Sequence, residues 1–348
     1  MNRSNVKKAF SIVIPIFNAK RFISSHLNLL IQQVSEEFEI ILVNDGSTDG
    51  SDVICNQFRE DYPDLVRVHH QENSGAFFAR LSGVNIAKGN YICFIDADDY
   101  WNMDSASIIK ETISAHTADV FLFGYREIDE STNHEELRVP SFEPGLYTSE
   151  SCKEIRSNIL ENDYQNMLWT KVIRKELFDS TFSQNIPLKN FSYAEDFYQV
   201  LLIVDSANSF YVSHDKIYDY IKNPSSTTSK GMTNQSLESL IFVYTEYLKF
   251  VKLWNFPWET AKKRLVVPIN HALYALLYGH QQPGPLLEVV FSKNFFELCK
   301  SASKIEMKLY YRIACFFLLH DMKKILRCYI FFFSKINRMR LKIKKVRA

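Results

Sequence analysis

Ile92-Cys93-Phe94-Ile95-Asp96-Ala97-Asp98-Asp99-Tyr100-Trp101 is an apolar run that stops abruptly at three carboxylates. Such a run, following Gly89, reads as a strand buried on both faces. Three acids do not share that interior unpaired, so they belong just past the strand's carboxyl end, where a divalent cation can neutralise them. Open α/β sheets bind their ligands at that edge. A single aspartate there is equally a helix cap or a turn residue, but three within four residues repel one another unless a cation or protons intervene. Hard oxygen ligands suit Mg²⁺ or Mn²⁺, and such ions commonly bridge to phosphates. The stretch points to a metal-assisted site for a diphosphate-bearing substrate.

Upstream, Phe10–Phe17, Phe38–Asn44 and Leu65–His69 read as strands, separated by helices at Ala19–Val34, Ser51–Arg59 and Ser74–Ala87. Tyr91–Ile95 closes this series. Alternating strands and helices predict a doubly wound, mostly parallel α/β sheet. Downstream, Asp104–His116 reads as a helix and Ala118–Tyr125 as a further strand. Asn133–Thr148, with Pro140, Pro144 and Gly145, reads as a surface excursion. Helical spacing resumes at Ser151–Leu160 and Trp169–Phe178. Past residue 228 the pattern becomes mainly helical, at Leu237–Leu253, Thr260–Leu277 and Phe295–Leu326. We therefore expect a catalytic domain over residues 1–228, with halves at about 10–104 and 105–228, and a helical region over 229–348.

The 348 residues, 46% hydrophobic and 23% charged, exceed one minimal core and fit one large domain with an appendage, or two domains. The net charge of +1 hides an asymmetry, because Ser334–Ala348 carries seven bases and no acid. The remainder is mildly acidic, which argues against bulk nucleic-acid binding. The basic tail, preceded by the aromatic run Tyr329–Phe333, suits an anionic membrane surface or a disordered terminus. Six scattered cysteines without a Cys-x-x-Cys pair argue against a disulfide framework or zinc site and fit a reducing compartment. No stretch reaches the roughly 18 uncharged apolar residues of a spanning helix. The expected location is cytoplasmic, peripheral at the inner face of the membrane. The dinucleotide, P-loop and zinc-protease motifs are absent.

Three further segments carry candidate chemistry. Asp45 follows the second strand, in Asn44-Asp45-Gly46-Ser47, either at the ligand edge or in a plain strand-to-helix turn. Asn73-Ser74-Gly75 opens a helix, a natural anion seat, with Arg80 near its start as a binding or a surface group. Glu195-Asp196 begins a later helix, where acids also simply complement the helix dipole. Trp169-Thr170-Lys171 sets an aromatic face beside a cation, or is a helix that buries Trp169 and solvates Lys171.

Taken together, Ser11–Asn18, Val43–Asp49, Asn73–Gly75 with Ala79-Arg80, and Gly89–Asp99 resemble the family 2 inverting glycosyltransferases with the GT-A (Rossmann-like) fold, of bacterial cell-surface polysaccharide type. Trp169-Thr170-Lys171, Glu195-Asp196, and Tyr218-Asp219-Tyr220 with Ser225–Thr228 look like later landmarks of such enzymes. The resemblance implies transfer of a sugar from a nucleotide-diphosphate donor, UDP-linked, to a growing or lipid-linked surface glycan. The implied cofactor is Mn²⁺ or Mg²⁺. Pro15 and Phe17 would border the base, and Asp45 would hold the uracil or ribose. Asn73, Gly75 and Arg80 would flank the nucleotide and its phosphates. Asp96 and Asp98, with Ala97 between them, match the family's Asp-x-Asp for ribose and metal, and Asp99 would share the metal or donor sugar. Asp196 matches the general base, beside Glu195. Trp169, Lys171, Tyr220 and Ser226 fall on the acceptor side. Two positions depart from the pattern: Leu81 stands where many relatives carry a polar residue, and Tyr193-Ala194 lacks the glycine common before the acids. The alternative is a catalytically silent GT-A protein that binds glycan or a partner.

Overall fold

The computed structural model describes residues 8–129, 134–161, 166–182, 193–222, 233–278, 292–301 and 309–320, and the positions 132, 191, 322, 324–326 and 328. The chain divides into two compact units, Met1–Lys230 and Gly231–Ala348.

In the first unit β1 (Phe10–Ile16), β2 (Phe38–Asp45), β3 (Val66–Gln71) and β4 (Tyr91–Phe94) alternate with α1 (Ile23–Gln33), α2 (Ser51–Asp61) and α3 (Ala76–Ile86). All eight residues of β2 are buried, as a strand covered on both faces requires. Strands β2 and β4 pair with β1 in parallel, and β3 pairs with β2 in parallel. The carboxyl ends of β1, β2 and β4 therefore open on one edge. Helix α3 lies close against this sheet because Gly83 has no side chain; a Cβ there would run into Val13 and Val43. That close seat carries Arg80 to the carboxyl edge.

The unit continues through β5 (Tyr100–Trp101), α4 (Ser105–Ala115), β6 (Val120–Asp129), β7 (His134–Arg138), β8 (Gly145–Thr148), α5 (Cys152–Glu161), β9 (Lys171–Arg174), α6 (Glu176–Thr181), α7 (Glu195–Ser206) and β10 (Ser209–Ile221). The main strand order is β3-β2-β1-β4-β9-β6-β10-β5, with β7 on β6 and β8 on β10. This is a GT-A-type α/β sheet flanked by helices.

Three local expectations change. Trp169–Phe178 is not one helix: its first half is β9, antiparallel to both β4 and β6, and only Glu176 onward is helical. Val172 and Ile173 are β-branched and fill a central sheet position, so tertiary pairing overrides a short helical spacing. The excursion at 133–148 contains β7 and β8, which extend the sheet with exposed and part-exposed residues. The 13-residue β10, unforeseen as a strand, runs parallel to β6 and antiparallel to β5.

The second unit holds α8 (Asn234–Leu253), α9 (Trp258–Arg264), α10 (Val266–Tyr278), α11 (Lys293–Ser301) and α12 (Leu309–Leu319). Thr233 caps α8 by accepting from the Ser236 amide at 3.1 Å, satisfying a helix-end donor. Leu237, Tyr247, Phe295 and Leu298 are fully buried in this unit. Among the described residues no helix is long and apolar enough to cross a membrane. The basic stretch 334–348 and Ser226 lie outside the described residues.

Candidate active site

The turn after β2 is organised around Asp45, which is buried. Its Oδ1 accepts from Gln71 Nε2 and the Ser74 amide, both at 2.8 Å, and its Oδ2 from the Gly75 amide at 2.8 Å. Asn73 Nδ2 donates to the Asp45 carbonyl at 3.0 Å. Asp45 thus fixes the loop that opens α3, with both carboxylate oxygens engaged by protein donors. Gly75 is required there: its φ is +88°, and an added Cβ would sit 2.7 Å from the Phe191 carbonyl oxygen. At the end of β1, Pro15 is half-buried and Phe17 is 52% exposed, a large apolar ring presented at the sheet edge. The Phe17-Asn18 loop is tied to the turn after β2, since the Asn18 amide donates to Ser47 Oγ at 3.0 Å and Asn18 Oδ1 accepts from the Thr48 amide at 2.8 Å.

Arg80 joins the acidic segments. It is 3% exposed, and Nη2 donates to Asp96 Oδ1 at 2.9 Å. Nη1 pairs with Asp196 Oδ1, lies 3.8 Å from Glu195 Oε1 and donates to Gln199 Oε1 at 3.4 Å. One guanidinium therefore links the loop after β4 to the first turn of α7, 100 residues later. Burial opposes its charge, but Asp196, Asp96 and Glu195 outweigh that and hold its pKa above the ordinary guanidinium value. Burial raises the pKa values of Asp196 and Glu195 above the usual carboxylate range, against the pull of Arg80.

The three acids after β4 separate into different roles. Asp99 is buried, accepting from Tyr218 Oη at 2.9 Å and from the Ile221 amide at 3.1 Å. Tyr218 Oη also accepts from the Asp96 amide at 3.1 Å, so β10 pins the loop from behind. Each Asp99 carboxylate oxygen thus accepts from one donor on β10. Asp98 is part-buried; burial and then Asp96 push its carboxyl up. Ala97, between them, is part-buried. Among the described residues no group of three or more acids, histidines or cysteines is arranged to hold a metal.

Of the residues expected on the acceptor side, Trp169 and Lys171 are buried. Trp169 is 6% exposed, stacked on Tyr218 at 4.2 Å and Tyr220 at 5.8 Å, with Tyr125 edge-on at 4.8 Å. Lys171 is 1% exposed and donates to the Met167 carbonyl at 2.7 Å. Burial lowers it to about 7, against the opposing charge of Asp196. Tyr220 is part-exposed beside Asp99 and Asp98, and burial followed by those charges raises its pKa. Two side chains that structure the site were missed. Tyr218 stood in the Tyr218-Asp219-Tyr220 landmark but was given no role. Gln199, fully buried, stands one turn after Glu195 on α7, a spacing that places it on the same helix face.

Parallel strands whose carboxyl ends present acids, met by an acidic helix start, define a GT-A α/β protein. The model of Glycosyl transferase family 2 matches residues 11–182, and over those residues the chain belongs to that family. The chain is 31% identical over 225 residues to the uncharacterized glycosyltransferase EpsJ of Bacillus subtilis, covering 63% of this chain and 62% of EpsJ. It is 45% identical over 93 residues to the poly(ribitol-phosphate) beta-glucosyltransferase of Bacillus spizizenii, covering 26% of this chain and 15% of that protein. The chain thus spans less than two thirds of these curated relatives. The S. aureus TarS structure in complex with UDP-GlcNAc matches with a TM-score of 0.65 at 19% identity, covering 95% of this chain and 92% of that one, a likeness of fold.

Proposed function

We propose that this protein transfers a sugar from a UDP-linked donor to a hydroxyl of a surface glycan of capsule, exopolysaccharide, lipopolysaccharide or teichoic-acid type, with inversion. The observation that carries this reading is the Arg80 bridge, which joins Asp96 and Asp196 through one guanidinium. Asp45, Asn73 and Gly75 shape the nucleotide loop, with Pro15 and Phe17 toward the base. Asp196 takes the proton from the acceptor hydroxyl as it attacks, a role suited to a carboxylate whose proton affinity burial has raised. Arg80 holds it in place, with Glu195 beside it on the same guanidinium. Trp169 and Lys171 support the acceptor side from beneath, and Tyr220 reaches its surface.

The donor set fits a hard divalent ion. Mg²⁺ and comparable ions need one or two carboxylates, the remaining positions going to phosphates and water. Asp98, which makes no ion pair among the described residues, and the second oxygen of Asp96 would form such a pair. When bound, Mn²⁺ or Mg²⁺ would stabilise charge on the departing diphosphate. The support for UDP is the fold shared with TarS, whose structure holds UDP-GlcNAc. The support for a surface glycan is the local likeness to a poly(ribitol-phosphate) glucosyltransferase. A lipid-linked acceptor and the basic stretch 334–348 would place the protein at the inner membrane face. The test is release of UDP from a panel of UDP-sugars with Mn²⁺. We expect slow hydrolysis without acceptor, lost on chelation and in Asp98→Ala. Tight UDP binding with no turnover on any sugar would favour a silent binding protein instead.

A further inference from the structure

A small cavity lies on the far side of the acidic loop, between α1 and residues 95–101. Its volume is ≈ 20 Å³, and its lining includes His26, Gln33, Asp96, Ala97, Asp99 and Trp101. Four buried polar atoms at this place make no hydrogen bond of normal geometry: both ring nitrogens of His26, Gln33 Oε1 and Trp101 Nε1. His26 is 7% exposed and Trp101 5%. Unpaired polar atoms at such depth carry a desolvation penalty, and their gathering around one void is the signature of an internal water site. The void exceeds the roughly 10–15 Å³ that a water needs, and two to four polar partners are the usual complement.

We propose that this cavity binds one structural water that bridges α1 to the acidic loop, and that His26 is thereby a positioning residue for Asp96 and Asp98. The chemistry closes for a neutral imidazole, and burial pushes His26 down to about 4, so the ring is neutral at pH 7. One water accepts from Trp101 Nε1 and donates to Gln33 Oε1 and to the unprotonated ring nitrogen. The remaining ring N–H faces the backbone at Ala97, between the two aspartates. The His26 ring also meets Tyr100 edge-on at 3.9 Å. The loop is thus held on two sides, by Tyr218 of β10 and by this hydrated seam on α1. Dislocating the seam shifts the donor carboxylates without removing any of them.

The consequence for the site rests on the donor reading above, whereas the water does not, and two measurements separate them. A crystal structure of the full chain at a resolution that shows waters should place one peak within hydrogen-bond reach of Trp101 Nε1, Gln33 Oε1 and a His26 nitrogen. A collapsed or dry seam overturns the proposal whatever the enzyme does. Titration calorimetry of UDP with and without Mn²⁺ should then show His26→Leu weakening the Mn²⁺-dependent part of binding about tenfold, as loss of an outer-shell partner does. Binding of UDP alone should be unchanged, and His26→Gln should restore most of the loss. Equal losses with and without Mn²⁺, or no rescue by glutamine, would reduce His26 to a packing residue. If His26→Leu fails to fold, Gln33→Met removes one water partner at a less buried position and should show the same metal-selective loss. Wild-type protein that ignores UDP yet shows the water refutes the donor reading alone.

Discussion

The two acidic sides of the candidate site are built differently. On one side, Asp45 and Asp96–Asp99 stand where parallel strands end, so their positions follow from the strands themselves. On the other, Glu195 and Asp196 stand on a helix start, held by an arginine from α3 and resting beside a strand, β9, that exists only through its neighbours. The first side is set by local pattern, the second by long-range pairing. Arg80 is the seam between them, and the first two predictions act on that seam.

The largest effect is expected at the base. Asp196→Asn keeps the shape and removes the proton acceptor, and general-base loss typically lowers turnover by about 10²–10⁴-fold. UDP binding should hold. The pH dependence carries the sign: burial raises the Asp196 pKa, so its proton is retained to a higher pH than an ordinary carboxylate's. kcat/KM should therefore fall as pH drops through this raised value, above the usual carboxylate range. The acidic limb should vanish in the asparagine variant. An unchanged limb would move the base to another residue and break the division of labour between the two sides.

Arg80→Ala comes next. Removing one partner of a buried ion pair costs about 3–5 kcal/mol. The carboxylates here retain 21–30% exposure while Arg80 retains 4%, so partial solvation of the stranded acids argues for about 3 kcal/mol in chemical denaturation. Arg80→Lys should not restore the loss, because one ammonium does not reproduce a fork that reaches Asp96 and Asp196 together. A loss below about 1 kcal/mol, the scale of a surface pair, would mean that the two sides are assembled independently.

Tyr218→Phe probes the back of the first side. The substitution keeps the ring stacked on Trp169 and deletes the hydroxyl that serves Asp99 and the Asp96 amide. Leaving these buried groups unpaired should cost about 1–3 kcal/mol, with weaker Mn²⁺-dependent UDP binding. Equal stability in denaturation would show that the loop is held by its own turn and not by β10.

Legibility followed the same division. The runs at Phe10–Phe17 and Phe38–Asn44 and the acids after Ile95 could be read because burial on both faces leaves an unbroken apolar string that charge must terminate. Segment 169–178 could not, since four strand residues followed by a helix mimic helical spacing until β4 and β6 are in place on either side. Tyr218 was visible as a residue but not as a support, because its partners lie 119 and 122 residues away and only the fold joins them. Local pattern left Arg80 as a binding or a surface group, and only the family resemblance set it beside the phosphates; its grip on Asp196 is likewise a product of tertiary structure.

The smallest expected effect sits at the helix entry of the second side. Ala194 precedes Glu195 with φ 60° and ψ 20°, the left-handed region that glycine enters freely and alanine at a penalty of roughly 1–2 kcal/mol. A glycine at this position would take up that conformation without strain. Ala194→Gly relieves the strain but loosens the unfolded chain, which returns about 0.5–1 kcal/mol. The net expectation is a stabilisation of about 0.5 kcal/mol in denaturant, from the difference of those two ranges. Turnover should stay within about twofold, since the Arg80 pair and not the cap orients Asp196. A destabilised glycine variant, or one with sharply reduced turnover, would mean that the stiffness of alanine at the helix entry helps to aim the base. The second side would then be positioned by its own backbone as firmly as the first is by its strands.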